Sequence, residues 1–291
     1  SGAGYTLSGY TQKNAGTHTI TATLASGYRW SDNTGGTKKF SCSINKRTLT
    51  VKADAKSKIY GAGDPALTYT YSNEVSGQKP NFSGALSRDA GENVGTYAIK
   101  QNTLALADSS TFLANNYTIA YTGANLTINA KNASTFTVTL SPTSYTYDGN
   151  AKTPTVTVKD GNTTLTLNTH YTIAYKNNIN AGTATATITG KGNYTGTKAV
   201  NFTINKATPI ITLSATSAWL SGSKTFTEKA NVAGTFTNKS GDKNVATVSP
   251  ENITNVPKDT AKTVTVTGVA DGSSTNTVTI KPTETTNYKT V

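Results

Sequence analysis

The side chains that most often carry nucleophilic or metal chemistry are scarce in this chain. Its 291 residues include two histidines, His18 and His170, and one cysteine, Cys42. A catalytic triad or a His-rich metal site needs such groups brought together, and the two histidines fall in segments assigned below to different modules. We therefore predict no catalytic, cofactor-binding or metal-ligating residues, no cofactor, and structural or exposed roles for both histidines.

The single cysteine predicts a packing role. Cys42 alternates in phase with Phe40 and Ile44, which indicates a core position on a strand rather than a reactive thiol. One cysteine cannot form a disulfide framework or a CxxC metal site within the chain. Secreted proteins without disulfides are common in bacteria and uncommon among small extracellular animal domains.

The carboxylates are placed as turn residues. A glycosidase needs two carboxylates about 5–10 Å apart. Residues 1–46 contain one acid, Asp32, and residues 131–206 contain Asp148 and Asp160, each beside a glycine. Several other acids lie at predicted turns or strand ends, namely Asp54, Asp64, Glu92, Asp242, Asp259 and Asp271. We predict that the chain is not an enzyme.

A covalent crosslink between lysine and asparagine is a weaker alternative. That chemistry needs a buried lysine beside an asparagine or aspartate, with a carboxylic acid to assist. Lys52, Asn125 and Glu74 offer the residue types, whereas residues 131–206 contain no glutamate and only turn-like aspartates. The crosslink stays open at this point.

Threonine rows and tryptophans could form binding surfaces. Thr183, Thr185, Thr187 and Thr189 alternate along one stretch, which fits a hydroxyl array for ice or glycans but fits ordinary solvent-facing threonines better. Trp30 is expected to pack near an aromatic turn. Trp219 is harder to place and is kept as a contact-surface residue.

The elements that would position these residues are strands. Within Tyr171–Asn205, Tyr171, Ile173 and Tyr175 alternate with polar or small residues, which predicts a strand with one dry face. An Asn-rich turn follows, then strands over 183–189 and 200–204. Dense β-branched residues and the absence of an i, i+3, i+4 apolar stripe argue against helix.

Composition favours an all-β protein, and the charge distribution argues against a nucleic-acid binder. Methionine is absent, charged residues make up 14%, and 15 tyrosines must supply much of the core. The net charge is +12, but no basic run exceeds two residues, so we predict no nucleic-acid partner. No transmembrane run is present and we predict no membrane insertion. The chain opens Ser-Gly without methionine, and we expect it to be a piece of a longer protein.

Two anchors recur and divide the chain. One is a Gly-Thr that opens a strand, as in Ala15-Gly16-Thr17, Val94-Gly95-Thr96 and Ala181-Gly182-Thr183. The other is an aromatic turn before the last strand, at Gly27-Tyr28, Asn116-Tyr117, Asn193-Tyr194 and Asn287-Tyr288. They predict four modules: 1–46, clipped at its N-terminal side; 47–130; 131–206; and 207–291, clipped at its C-terminal side.

The modules are expected to form a stiff rod. The links between them are short, which restricts hinge motion, and four modules end to end would span on the order of 120–160 Å. The first module lacks its opening strands. Because an open core and unpaired strand edges invite aggregation, we expect residues 1–46 either to pack on the next module or to be loosely ordered.

The residues of the second module carry a family likeness. The stretch Thr50–Tyr69, with Tyr60-Gly61-Ala62, and the stretch Asn116–Ile128 closely resemble the MBG domain of the Tyr-Gly-x type. Residues 131–206, with Tyr147-Asp148-Gly149-Asn150, and residues 207–291, with Val245–Val248, are similar to bacterial Ig-like repeats. The resemblance implies an elongated tandem array of small antiparallel β-sandwich modules without catalytic residues.

The resemblance also implies a function and a location. We expect non-catalytic stalk or spacer repeats of a secreted or wall-attached bacterial surface protein, located outside the cell, and a monomer. The alternative is an adhesin or carbohydrate-binding module, with glycans or another surface protein as partners. A sugar binder should show two or three coplanar exposed aromatic rings, a stalk none.

Overall fold

The computed structural model describes residues 4–291, which form 28 strands and two short 3-10 helices. No α-helix occurs in this range, which confirms the all-β class. The chain divides into two compact units, and the division falls between Lys131 and Asn132, one residue from a predicted module boundary. The division into four modules and their tandem arrangement stay predictions, and the module names below denote the predicted residue ranges.

Module one is a single antiparallel sheet in the order β1-β2-β3. Its strands are β1 (Tyr5–Ser8), β2 (Gly16–Leu24) and β3 (Thr37–Ile44). Gly16 lies opposite Ile44, so β2 and β3 pair along almost their whole length. Among the described residues of this module no second sheet covers the apolar face, and Phe40 remains 53% exposed.

The open face corrects one prediction. Cys42, expected in a core, is a half-buried free thiol, and its same-face neighbours Phe40 and Ile44 are exposed. Alternation showed correctly that the three side chains share a face of β3. It could not show whether another layer covers that face.

Module two has two main sheets. Its strands are β4 (Arg47–Ala53), β5 (Lys56–Ile59), β6 (Tyr69–Ser72), β7 (Phe82–Ser83), β8 (Ser87–Arg88), β9 (Gly95–Lys100), β10 (Ala105–Leu106), β11 (Tyr117–Thr122) and β12 (Ala124–Asn129), with a 3-10 helix at Ala114–Asn116. The sheets run β11-β4-β6 and β5-β12-β9-β8, with β7 and β10 paired separately. The β4–β11 and β5–β12 pairs are parallel. The fully buried Leu49, Val51 and Leu126 alternate with exposed residues, as a half-buried strand requires.

Module three follows the boundary of the two units. Its elements are β13 (Lys131–Asn132), a 3-10 helix (Ala133–Thr135), β14 (Thr137–Ser141), β15 (Ser144–Thr146), β16 (Thr155–Asp160), β17 (Thr163–Thr164), β18 (Tyr171–Lys176), β19 (Gly182–Gly190), β20 (Tyr194–Thr195) and β21 (Thr197–Asn205). A three-stranded sheet, β14-β16-β17, packs on a four-stranded sheet, β15-β21-β19-β18. The three strands predicted within Tyr171–Asn205 are β18, β19 and β21. Ala184, Ala186 and Phe202 are buried between the sheets.

Module four is antiparallel throughout its paired strands. They are β22 (Ile211–Leu213), β23 (Ser223–Ala230), β24 (Gly234–Lys239), β25 (Ala246–Ser249), β26 (Asn252–Val256), β27 (Lys262–Gly268) and β28 (Thr277–Pro282). The sheets run β22-β23-β27-β25 and β26-β24-β28. The core contains Ala230, Phe236 and Ile280. Across residues 4–291, no helix is long and apolar enough to span a membrane.

The contrast between module one and module three yields a stability prediction. Phe202 on β21 is 2% exposed between two sheets, and Phe40 on β3 lies on an uncovered face. Replacing Phe202 with alanine should destabilise module three by about 3–5 kcal/mol, since it leaves a cavity. Phe40→Ala, the matched control, should cost less than about 1 kcal/mol. Denaturant-dependent hydrogen exchange, read module by module, measures both, and equal losses would contradict this account of the open sheet.

Candidate functional site

Both histidines are engaged by nearby backbone. His18 Nε2 lies 2.8 Å from the backbone oxygen of Asn14. His170 Nδ1 accepts a hydrogen bond from the Thr166 amide at 2.9 Å, and its ring meets Tyr194 edge-on at 6.0 Å. Within the described range, no group of three or more His, Cys, Asp or Glu side chains could hold a metal ion. The two histidines therefore serve local structure.

The aspartates singled out in the sequence act in turns. Asp148 Oδ1 accepts the Asn150 amide at 2.8 Å and Oδ2 pairs with Lys152 Nζ at 2.5 Å. The Lys152 hydrogen bond, followed by that of the Asn150 amide, lowers the pKa of Asp148. Asp160 accepts from the Tyr194 hydroxyl at 3.3 Å. Asp32 likewise closes a turn, because it accepts the Thr34 amide at 3.1 Å and pairs with Lys38 at 2.5 Å.

The residues proposed for a covalent crosslink do not meet its requirement. Lys52 on β4, Asn125 on β12 and Glu74 in the loop after β6 are all exposed. The reaction needs a buried lysine beside its partner, whereas the Lys52 side chain faces solvent. The structure gives this trio no support.

The threonine row and the two tryptophans considered for ligand binding lie at separate places in the described residues. Thr183 and Thr189 on β19 are exposed while Ala184 and Ala186 between them are buried, so these threonines form the solvent face of the strand. Trp30 packs 6.5 Å from Tyr5, with Lys38 over its ring at 5.4 Å. Trp219 is 94% exposed in the loop before β23.

An open depression in module two has few side chains that could take part in catalysis. Its volume is about 650 Å³ and its lining includes Gln101, Asp108 and Tyr117. Asp108 is the ionisable carboxylate there, and its Oδ1 already accepts the Ala114 amide at 2.7 Å. One occupied carboxylate in an open depression does not provide a general acid–base pair.

The densest charge cluster lies at the Tyr60-Gly61 turn of module two. Lys58 Nζ is 2.6 Å from Asp64 Oδ1 and 2.6 Å from Glu92 Oε2. Arg88 Nε donates to Asp64 Oδ2 at 2.7 Å, and Arg88 Nη2 donates to Glu92. The guanidinium also lies 5.3 Å from the centre of the Tyr97 ring. The two cations are nearly buried and the two carboxylates partly exposed, so the cluster fastens two turns to β5 and β8.

The electrostatics of this cluster argue against catalysis. The Arg88 and Lys58 hydrogen bonds lower the pKa of Asp64 to about 2. Lys58 and then Arg88 lower the pKa of Glu92. A general acid needs a raised pKa near the working pH, whereas both carboxylates here are firmly ionised and hydrogen-bonded.

One carboxylate is buried without a cation. Glu228 on β23 is fully buried, and burial raises the pKa of its carboxyl. Its Oε1 accepts from Asn238 Nδ2 at 3.1 Å, while Glu228 Oε2 and Asn238 Oδ1 are buried without a partner. A proton on the Glu228 carboxyl group would provide a hydrogen-bond donor at this pair of oxygens, one on each side chain. Burial without a cation and the unpartnered oxygens thus favour the protonated form of Glu228, which lies against the Asn238 amide between the two sheets.

The contacts between modules one and two centre on one asparagine. Asn116 Oδ1 accepts the Ala15 amide at 2.8 Å, and Asn116 Nδ2 donates to Asn14 Oδ1 at 3.2 Å. These bonds attach residues 1–46 to module two, which is the first of the two outcomes expected for the clipped module. Next to Asn116, Tyr117 pairs in parallel with Arg47, the first residue of β4.

Modules three and four repeat this arrangement. Asn287 Oδ1 accepts the Ala181 amide at 2.6 Å, and Asn287 Nδ2 donates to Asn180 Oδ1 at 3.1 Å. Next to Asn287, Tyr288 forms a parallel bridge with Ala207, close to the start of module four. We call each set an asparagine junction: the first consists of Asn14–Gly16 with Asn116, the second of Asn180–Gly182 with Asn287.

Sequence reasoning found Asn116 and Asn287 in the Asn-Tyr anchors but not their role, and it did not single out Asn14 or Asn180. The available signal was the asparagine that precedes Ala-Gly-Thr at both places. Glu228 was detectable because it lies in phase with Phe226 and Ala230 on a strand. The Lys58–Arg88–Asp64–Glu92 cluster gave no such signal, since its residues come from two stretches, 58–64 and 88–92, that are distant in sequence.

The comparisons with known proteins identify one segment. Residues 49–127 match the family model of the MBG domain (YGX type), which confirms the resemblance of module two to a non-catalytic repeat domain. No curated protein matches the chain in sequence. A crystal structure of a Salmonella alpha-2-macroglobulin mutant is 10% identical with a TM-score of 0.22, covering 95% of this chain and 24% of that one. The chain thus spans about a quarter of that protein's length.

The ion cluster predicts acid sensitivity of module two. Because the pKa of Asp64 is lowered to about 2 in the folded state, its stabilisation is present above the ordinary pKa of about 3.9 and is lost as pH falls toward 2. Hydrogen exchange of β5 and β8 between pH 5 and pH 2 should show the loss. Asp64→Asn should flatten that profile, and Asp108→Asn in the same module is the matched control. An unchanged profile in Asp64→Asn would contradict the assignment.

The buried acid predicts the opposite response in module four. The pKa of Glu228 is raised in the folded state, so the free energy of unfolding of module four is highest below the ordinary glutamate pKa of about 4.3. It falls as pH rises through the pKa of Glu228 in the folded state. Glu228→Gln can make both hydrogen bonds to Asn238 without titrating, so its stability should not decline over this range. Exchange of β23 and β24 amides measures the effect.

A matched control is available in the same module. The Lys243 ion pair lowers the pKa of Glu251, so Glu251→Gln should leave the decline with rising pH in place. A wild-type module four whose stability is constant from pH 4 to pH 8 would show that Glu228 is not a neutral acid.

Proposed function

We propose that this chain consists of non-catalytic structural repeats, a stalk or spacer, in a secreted or wall-attached bacterial surface protein. The observation that carries the proposal is the pair of asparagine junctions, in which one side chain of the following module makes two hydrogen bonds to the preceding module. The MBG match supports a repeat of bacterial surface proteins.

Short links reinforce the same role. In the first unit, β3 ends at Ile44 and β4 begins at Arg47, so Asn45 and Lys46 alone separate them. In the second unit, β21 ends at Asn205 and Ala207 already pairs with Tyr288. Domains in one chain move against each other by default unless the joint restricts them. A link of so few residues, combined with the asparagine bonds, restricts the joint and suits a spacer.

The ionisable side chains are used for structure. Asp64 and Glu92 are occupied by Lys58 and Arg88, and Asp148 by Lys152. Glu228 is enclosed between sheets. Carboxylates engaged in this way are not free to exchange protons with a substrate, which supports a non-enzymatic role.

Carbohydrate binding is the second candidate, and Trp219 is the observation that favours it. An exposed indole can stack on a sugar ring, and this one is 94% exposed. Cell-surface location, a monomeric state and any glycan or protein partner belong to this proposal in either form.

Glycan binding by the full chain separates the two candidates. We expect no saturable signal on a glycan array that includes bacterial wall polysaccharides and host glycans. Any weak, non-saturating signal from the +12 charge should disappear with added salt. Saturable, salt-resistant binding that Trp219→Ala removes, and that Trp30→Ala leaves unchanged, would overturn the pure stalk in favour of the carbohydrate-binding module.

A further inference from the structure

The two asparagine junctions share more than their asparagines. In each preceding module an Asn-Ala-Gly turn makes the contact with the next module. The glycine of this turn adopts a positive φ, +141° at Gly16 and +140° at Gly182. Nothing lies within 4 Å of a Cβ built at Gly182, so the backbone conformation rather than space selects glycine there. The alanine immediately before this glycine donates its amide to the asparagine of the next module.

The links leading into the two junctions are also alike. The preceding module ends with Ile44-Asn45-Lys46 in one case and Ile204-Asn205-Lys206 in the other. The residue that follows, Arg47 or Ala207, pairs in parallel with the tyrosine of the Asn-Tyr turn. This pairing holds the neighbouring asparagine at a fixed place relative to the link.

The modules that contribute the asparagine have different folds. Module two contains the parallel pairs β4–β11 and β5–β12 and matches the MBG domain. Module four has sheets β22-β23-β27-β25 and β26-β24-β28, with antiparallel pairing throughout the strands. The four hydrogen bonds nevertheless have matching partners and lengths, between 2.6 and 3.2 Å. Two different folds thus present one interface.

We propose that the asparagine junction is a transferable docking interface, in which an Asn-Ala-Gly turn takes the Asn-Tyr turn of any following module, whatever the fold of that module. The partner that fits the turn is a β module with an asparagine before the tyrosine that pairs with its first strand. This inference adds a joining mechanism to the proposed stalk function. It rests on that function in one respect, because it treats the modules as consecutive repeats.

The contribution of each asparagine can be measured in the full chain by amide exchange. Asn116→Ala removes the acceptor of the Ala15 amide, which should exchange about tenfold faster while the Ala181 amide is unaffected. Asn287→Ala should give the converse result. Asn116→Asp keeps an oxygen for Ala15 but loses the donor to Asn14, so an intermediate acceleration is expected.

The neighbouring residue supplies the control. Asn115 is exposed, and Asn115→Ala makes the same substitution one position away. It should leave the Ala15 amide unchanged. Equal acceleration in Asn115→Ala and Asn116→Ala, or none in Asn116→Ala and Asn287→Ala, would overturn the interface. The glycan-binding test of the stalk function is read separately, so a failure of the interface is distinguishable from a failure of that function.

Transferability requires a graft. In a chain whose residues 47–130 are replaced by a second copy of residues 207–290, the grafted Asn287 should protect the Ala15 amide. Alanine at that grafted position should remove the protection. Protected β-strand amides in the graft report that it has folded, and a folded graft with an unprotected Ala15 would overturn the proposal. A graft that does not fold would also count against it, because the interface is proposed to accept any such module.

Discussion

Each described junction depends on the first residue after a link pairing with an aromatic turn far along the same module. Arg47 pairs with Tyr117, and Ala207 bridges Tyr288. This pairing closes the following module and also places its junction asparagine. The link before Arg47 or Ala207 is short, so the last strand of one module lies next in sequence to the residue whose pairing closes the following module. Stability inside a module is therefore coupled to the geometry of its joint.

The modules achieve this with modest cores. In module three the central strand β19 buries Ala184, Ala186 and Ile188 and turns threonines to the other side. Small residues let the two sheets approach, and Phe202 with Tyr145 fills the space that remains, their rings 5.9 Å apart. Aromatic burial thus adds core area in a chain that has no methionine.

The sequence predicted the parts of this structure that repeat or alternate. Period-2 patterning located β18, β19 and β21, and the repeated Asn-Tyr anchors located Asn116 and Asn287, whereas Asn14 and Asn180 were not recognised. It failed where the answer depends on a layer or partner distant in sequence. The pattern around Cys42 was correct for a strand face, but no local signal states whether a second sheet covers it. The ion cluster combines Lys58, Asp64, Arg88 and Glu92, whose proximity is created only by the pairing of β5, β12, β9 and β8.

The choice of asparagine at the joints follows from what one side chain must do there. It must accept from a backbone amide and at the same time donate to another side chain, and a carboxamide has both functions on one planar group. Aspartate would lose the donor and face the oxygen of Asn14 or Asn180 with a negative charge. Serine is too short to span both partners. A neutral amide also keeps its hydrogen bonds when pH or salt changes, whereas the ion cluster of module two and the buried acid of module four both respond to pH. The titratable groups of the ion cluster and of Glu228 thus lie inside modules, and neutral amides make the two described contacts between modules.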